Sequence, residues 1–368
     1  MPRRKRVRKI SAALFSVYLM GEAANMESRK TTIVDIAKKL NISKSTVSRA
    51  LSNHSSIGLR TKMRVQQLAA ELNYEPDQTA IHFKQRRKFL LGVVLPSISH
   101  EFFSSIVSGI EDVAYNKNYT LLLGQSRDDE NREKRIVETM KDHRVDGMLI
   151  SISKNTTNYD HFEMLRKNKI PVVFFDRIPN MDNIHYIASQ LESGMKEAVN
   201  FLIRKGHKHI ALINGPANLP ASKERLQGFG NAMKKNRIKL NPEYIVYSDL
   251  TQEGNTSATQ QLLSLKRRPD AIIAFNDYVA MDAIQQAKKA KVKINKDICF
   301  ISFANEAICN YMDHPPMASI EQFPYQQGEK ATEILLDLLE NTHPGPDEQE
   351  PTWHNILLPS QLVVRISK

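Results

Sequence analysis

"NISKSTVSRALSN", Asn41 to Asn53, decides how the first part of this chain is built. It holds two basic side chains and several hydroxyls, and no acid. Ser43 fits the start of a helix, because its hydroxyl can accept from a free backbone N–H of the first turn. Val47, Ala50 and Leu51 would then form one face, leaving Lys44, Ser45, Thr46, Ser48 and Arg49 outside. Upstream, "TTIVDIAKKL" places Ile33, Ile36, Ala37 and Leu40 on a second helical face, with Thr31 or Thr32 as its cap. Downstream, a third helix is predicted near Leu59 to Leu72, with Val65, Leu68, Ala69 and Leu72 inward. Three short helices with a tight turn between the first two make a helix-turn-helix module.

The charge distribution agrees. Basic minus acidic residues give 8 − 2 for positions 1–30, 11 − 4 for 31–90 and 33 − 34 for 91–368. The net charge of +12 therefore sits in the first quarter, and a basic head on a near-neutral body implies a polyanion partner. In such a module the second helix enters the major groove N-terminus first. Lys44 and Arg49 can donate to guanine O6 and N7, and Ser45 is short and adaptable. Ser43, Thr46 and Ser48 suit phosphate oxygens. The competing reading, a solvated amphipathic surface helix, explains the polar face but not three helices in this order.

These residues carry a family resemblance. The run T-x-x-D-I-A, S-x-x-T-V-S-R-A-L, T-x-x-R-V and A-x-E-L-x-Y-x-P closely resembles the head of lactose-repressor-type (LacI family) bacterial transcription regulators. The resemblance implies that Lys44, Ser45 and Arg49 face the bases. Gly58 stands where the family usually has a capping Ser. Beyond Pro76, "DQTAIHFKQRRKF" matches the family's hinge helix, which folds on DNA and pushes a leucine into the minor groove. Phe83 sits at that position, with Ala80 beside it and Lys84, Arg86, Arg87 and Lys88 placed for phosphates. A basic linker with Phe83 packed on the next domain is the alternative.

From Phe89 the pattern becomes alternating apolar strands and amphipathic helices, which implies parallel sheets covered on both faces. The body resembles the periplasmic-binding-protein-like core of the same family, so the fold class expected is an all-α helix-turn-helix head joined by a hinge helix to an α/β periplasmic-binding-protein-like core of two doubly wound subdomains. The expected boundaries are 31–76 for the head, 77–88 for the hinge and 89–368 for the effector-binding and dimerisation domain. Its lobes would be about 89–186 plus 320–348, and 187–319 plus 352–368, with crossovers near Ile184–Ser189, near Met317–Phe323 and at the C-terminal strand.

Ligands in such folds bind where strands end. Phe102 and Phe103 fall at the family's N-P-F-F position, and an aromatic there could stack on a planar or sugar face. Ser126, Arg127 and Asp176 follow strands. The resemblance gives Arg225 as the cleft arginine, typically bonded to an effector hydroxyl or carboxylate, and Asn276 and Asp277 as the N-D pair at a strand end. Each has a local alternative: a helix cap, a core ring, an ion pair. Where the family often reads G-(F/Y)-D-(D/N), this chain has Ala304, Asn305 and Glu306, and Asn305 is the expected contact. Leu219 and Ala221 replace the polar residues that hold purine in purine-repressor-like relatives. The effector expected is a sugar, sugar acid or related carbohydrate.

Two cysteines are too few for a disulfide framework and fit a reducing, cytoplasmic compartment. No phosphate loop, dinucleotide fingerprint, zinc spacing or nucleophile elbow occurs, so neither cofactor nor metal is expected and the chain does not read as an enzyme. The function expected is a homodimeric, sequence-specific repressor on a near-palindromic operator, switched by a small molecule, with no membrane partner. Residues 1–25 read either as a signal-like segment or as a non-native extension before Met26, the second being favoured. An exported solute-binding protein is the reading from another class.

Overall fold

The structure, a computed structural model, describes residues 31–74, 87–340 and 352–365. The hinge residues Ala80, Phe83, Lys84 and Arg86, and residues 1–25, lie outside these. The chain divides into two compact units, Met1–Arg86 and Arg87–Lys368. Among the described residues no helix is long and apolar enough to cross a membrane.

The first unit contains α1 (Ile33–Leu40), α2 (Lys44–Leu51) and α3 (Leu59–Glu71). α1 begins where Asp35 Oδ2 accepts from the Thr32 N–H (2.9 Å) and hydroxyl (2.6 Å). It stops at Asn41, whose φ of 51° lies in the left-handed region that Asn tolerates. Ile36, Ala37, Val47, Ala50, Val65 and Ala69 form the buried centre, two residues from each helix. The Thr31 hydroxyl donates to Leu72 O (2.9 Å) and ties the first helix's entry to the third helix's end.

The second unit holds two six-stranded sheets. One has the order β2 (Thr120–Gln125), β1 (Leu90–Leu95), β3 (Gly147–Ile150), β4 (Val172–Phe175), β5 (His185–Gln190) and β11 (Asn355–Pro359). The other has β7 (Ile245–Tyr247), β6 (Ile210–Asn214), β8 (Ala271–Ala274), β9 (Cys299–Phe303), β10 (Ala318–Glu321) and β12 (Gln361–Val364). Two buried apolar clusters flank each sheet, as a doubly wound layer requires. The helices are α4 (Glu101–Asn116), α5 (Glu130–Asp142), α6 (Asp160–Lys167), α7 (Leu191–Arg204), α8 (Pro220–Lys235), α9 (Gln252–Ser264), α10 (Asp277–Lys289) and α11 (Pro324–Glu340).

The structure differs from the sequence-based expectation in three places. β12 runs antiparallel to β10, so the second sheet is not wholly parallel. The C-terminal stretch divides at Ser360: β11 pairs with β5 in the first sheet, and β12 with β10 in the second. The expected assignment of 352–368 to one lobe thus needs splitting, and β10 belongs wholly to the second lobe. α11, absent from the expected elements, packs on α4. A Cβ on Gly109 would lie 2.1 Å from Tyr325 O, and one on Gly328 2.1 Å from Ile106 O, so only glycine permits this approach.

The chain crosses between lobes after Gln190, after Glu321 and at Ser360. Buried hydroxyls and an amide stitch these crossings together. Ser189 Oγ donates to Gln322 O (2.8 Å), Gln327 Nε2 donates to Ser189 Oγ (3.0 Å), and Ser360 Oγ donates to Gln190 O (2.7 Å).

Candidate functional site

On α2 the Ser43 hydroxyl accepts from Thr46 N (3.1 Å) and lies 2.7 Å from Ser45 Oγ and 2.9 Å from Thr46 Oγ1. The cap fixes the helix start and leaves the first turn without an acid. Lys44, Ser45 and Arg49 are exposed, while Thr46 and Ser48 are half-buried beside the core. Ser45 and Arg49 are four residues apart and share a face. The arrangement presents two cations and a short hydroxyl from a helix N-terminus that itself favours anions. Arg87 and Lys88, expected among the hinge's phosphate contacts, are instead held by the second unit. Arg87 Nη2 donates to Leu339 O, and Lys88 Nζ to His143 O (2.7 Å).

A cavity of about 200 Å³ opens between the two lobes, at the carboxyl ends of β1, β4, β8 and β9. Phe102, Phe103, Asp176, Arg225 and Asn276, among the expected contacts, line it. The backbone at these strand ends is unusual. Asp176 has φ 58°, Ala304 φ 93° and Asn305 φ 56°, conformations that L residues rarely hold unless their surroundings enforce them.

Arg225 is the most informative wall residue. It is 4% exposed, with its guanidinium 4.0 Å from the Phe275 ring centre and 4.4 Å from that of Phe303. Nη1 donates to Ala221 O (3.3 Å), and Nε has no partner among the described residues. Burial lowers its pKa to about 10, against the pull of Asp176 and Glu224. Burial likewise lifts Asp176 to about 6, opposed by Arg177 and Arg225. Asn276 caps α10, its Oδ1 accepting from Val279 N (2.9 Å), which leaves its amide N–H groups available.

Four expected contacts lie elsewhere. Ser126 is buried against the first sheet near Leu95 O, and Arg127 faces an outer depression with Arg132 and Arg135. Asp277 is fully buried behind the wall. It accepts from Ser302 Oγ, Glu306 N (2.6 Å) and Ser319 Oγ (3.2 Å), and pairs with Arg365 (3.4 Å). Asn305 turns away to Glu321 and Arg365. Its place at the strand end predicted proximity, but the left-handed turn at Ala304 reverses it.

In exchange, sequence reading missed Asp128, Lys154, Arg177, Tyr278 and Glu306 as lining residues. Asp128 pairs with Arg177 and accepts from Lys154 N (2.9 Å), joining three loops. Lys154 also bridges the lobes: its Nζ donates to Asp249 O (3.0 Å), and Asn218 donates to its carbonyl (3.1 Å). The only signal for these residues was position just beyond a strand, shared by many others.

The geometry is that of a helix able to read a duplex and a separate cleft able to hold a small polar molecule. Residues 91–343 match the model of a periplasmic binding protein domain, and residues 32–77 that of bacterial regulatory proteins, lacI family. The chain is 31% identical over 342 residues to the HTH-type transcriptional repressor CytR of Escherichia coli (strain K12), covering 93% of this chain and 97% of that one. It is 31% identical over 313 residues to the repressor PurR of Aliivibrio fischeri (strain MJ11), covering 84% and 92%. Among solved structures, the Lac repressor dimer bound to operator and the anti-inducer ONPF shares the fold, with a TM-score of 0.77 at 24% identity over 91% of this chain and 98% of that one. The chain belongs to the lacI family of bacterial regulatory proteins and is a DNA-binding transcriptional regulator, not an enzyme.

Proposed function

We propose that this regulator is a homodimeric repressor whose affinity for a near-palindromic operator is switched by a sugar or sugar derivative in the inter-lobe cleft. Arg225 carries the reading. A buried cation with a free N–H, held between two aromatic faces and lining a cavity, offers what a hydroxylated ring needs: a fixed donor beside an apolar surface. Phe102 and Phe103 supply a second apolar wall from the other lobe. Ligand bridging both lobes would change their closure about the three crossings, and the hinge would transmit that change to the head. Such a switch requires different ligand affinity in the two states. Lys44, Ser45 and Arg49 would read base edges, with Ser43, Thr46 and Ser48 near phosphates and Phe83 as the wedge. The helix-turn-helix head favours this over a solute carrier, which has no use for a basic reading helix.

The test is fluorescence anisotropy of the full chain on a labelled duplex selected from a random library, with and without carbohydrates. Sequence-selective, salt-dependent binding that at least one sugar shifts tenfold or more is expected. Equal binding to selected and scrambled duplexes, or selective binding that no small molecule alters, would overturn the proposal's DNA or effector half respectively.

A further inference from the structure

Glu306 is a second charged residue of the cavity wall with a buried polar atom left unpartnered. It follows the strained turn at Ala304 and Asn305, is 4% exposed and lines the cleft. Its Oε2 has no hydrogen-bond partner among the described residues. The surroundings are acidic. Asp277 and Tyr278 face it from α10, and Glu101 from the entry of α4. Arg365, the nearby cation, is committed to Asp277 (3.4 Å) and Asn305 (3.1 Å) and reaches only the backbone carbonyl of Glu306. Among the described residues no Lys or Arg side chain pairs with the Glu306 carboxyl.

We propose that Glu306 is a specificity residue that accepts from an amino group on the effector, so that the ligand is an amino-bearing sugar with its oxygens toward Arg225. This rests on the carbohydrate reading given above and narrows it. An ionised carboxylate is an acceptor only; the Tyr278 hydroxyl and the Phe102 N–H serve the Glu306 carboxyl in part, but its buried Oε2 is left without a donor, which is costly. A neutral hydroxyl supplies a hydrogen bond but no charge. An ammonium supplies both, and charge-assisted bonds are about twice as strong as neutral ones. Arg225 has the converse need, for acceptor oxygens. A uronic carboxylate turned toward Glu306 would meet repulsion from Asp277 and Glu101, and one turned toward Arg225 would leave Oε2 of Glu306 without a cation. Burial, with Asp277 next, pushes the Glu306 carboxyl up to about 7, against the hydrogen bonds from Tyr278 and the Phe102 backbone.

Calorimetry on the full chain at pH 7 with three matched probe sets tests this: D-glucosamine, D-galactosamine and D-mannosamine; their parent hexoses; and the corresponding uronic acids. At least one hexosamine should bind tenfold or more tightly than its parent hexose, with the uronic acid weaker still. Glu306→Gln should remove that preference, lowering hexosamine affinity by at least tenfold more than it alters affinity for the parent hexose. Should Glu306→Gln not fold, Tyr278→Phe, which removes the hydroxyl that bonds the carboxyl, should reduce the same ratio. Uronic acids or parent hexoses binding as well as hexosamines, or an unchanged ratio in the variant, would overturn the role of Glu306 and leave the carbohydrate reading standing. Binding by none of the sets would overturn the carbohydrate reading, and this proposal with it.

Discussion

Replacing Arg225 with Met should raise the stability of the ligand-free protein while weakening effector binding. The depression of the Arg225 pKa from 12.5 to about 10 by burial corresponds to about 3 kcal/mol against the charged form. The two ring contacts, at 4.0 and 4.4 Å, return about 1 kcal/mol each, and a thioether between the same rings recovers part of that. The net gain is then about 1–2 kcal/mol, or roughly 2–6 °C in Tm for a domain of this size. Loss of charge-assisted hydrogen bonds to ligand should cost ~1.5–3 kcal/mol, a weakening of about 10–150-fold. Urea denaturation and calorimetry on the same preparation measure both. A variant less stable than the parent by 2 kcal/mol, with unchanged ligand affinity, would show that Arg225 holds the wall together and that its unpaired Nε has no ligand role.

Arg49→Ala should lower affinity for the selected duplex by roughly 10–100-fold while scarcely changing affinity for scrambled DNA, as competition anisotropy would reveal; an unchanged preference refutes the assignment of the reading helix. Gly109→Ala should destabilise the second unit by about 2–3 kcal/mol, because its Cβ would lie 2.1 Å from a helix carbonyl, and Gly328→Ala should act on the same contact without adding fully. Ligand-free stability should fall as pH rises from about 4 to about 7. Asp176 and Glu306 have raised native pKa values of about 6 and about 7, so the unfolded chain releases these protons first and is favoured as pH increases. Asp176→Asn with Glu306→Gln should flatten that slope in pH-dependent thermal melts; an equal slope assigns it to other groups.

The head was legible because its information is local. Ser43, the i, i+3, i+4, i+7 spacing of Ile33, Ile36, Ala37 and Leu40, and the exposed Lys44 and Arg49 each act within a few helical turns. The alternation that gave the two sheets is also local, since each strand is an apolar run and each helix an amphipathic one. A crossing was expected at the C-terminal strand, but its place at Ser360 was not legible. "NILLPSQLVV" reads as one extended apolar stretch, and only the separate partners of β11 and β12 divide it.

The candidate cleft divides in the same way. Phe102, Phe103 and Arg225 were expected there from the family resemblance, but Glu306 and Lys154 reached it through backbone turns at strand ends. Asp277 looked like a contact and became the buried anchor of Ser302, Ser319 and Arg365. The sequence by itself determined which segments coil and which extend, and that a cationic helix leads them, because periodicity and capping act over neighbouring residues. Only the tertiary structure decided which polar groups lost their water without gaining a partner, because that depends on side chains far apart in the chain closing around one space.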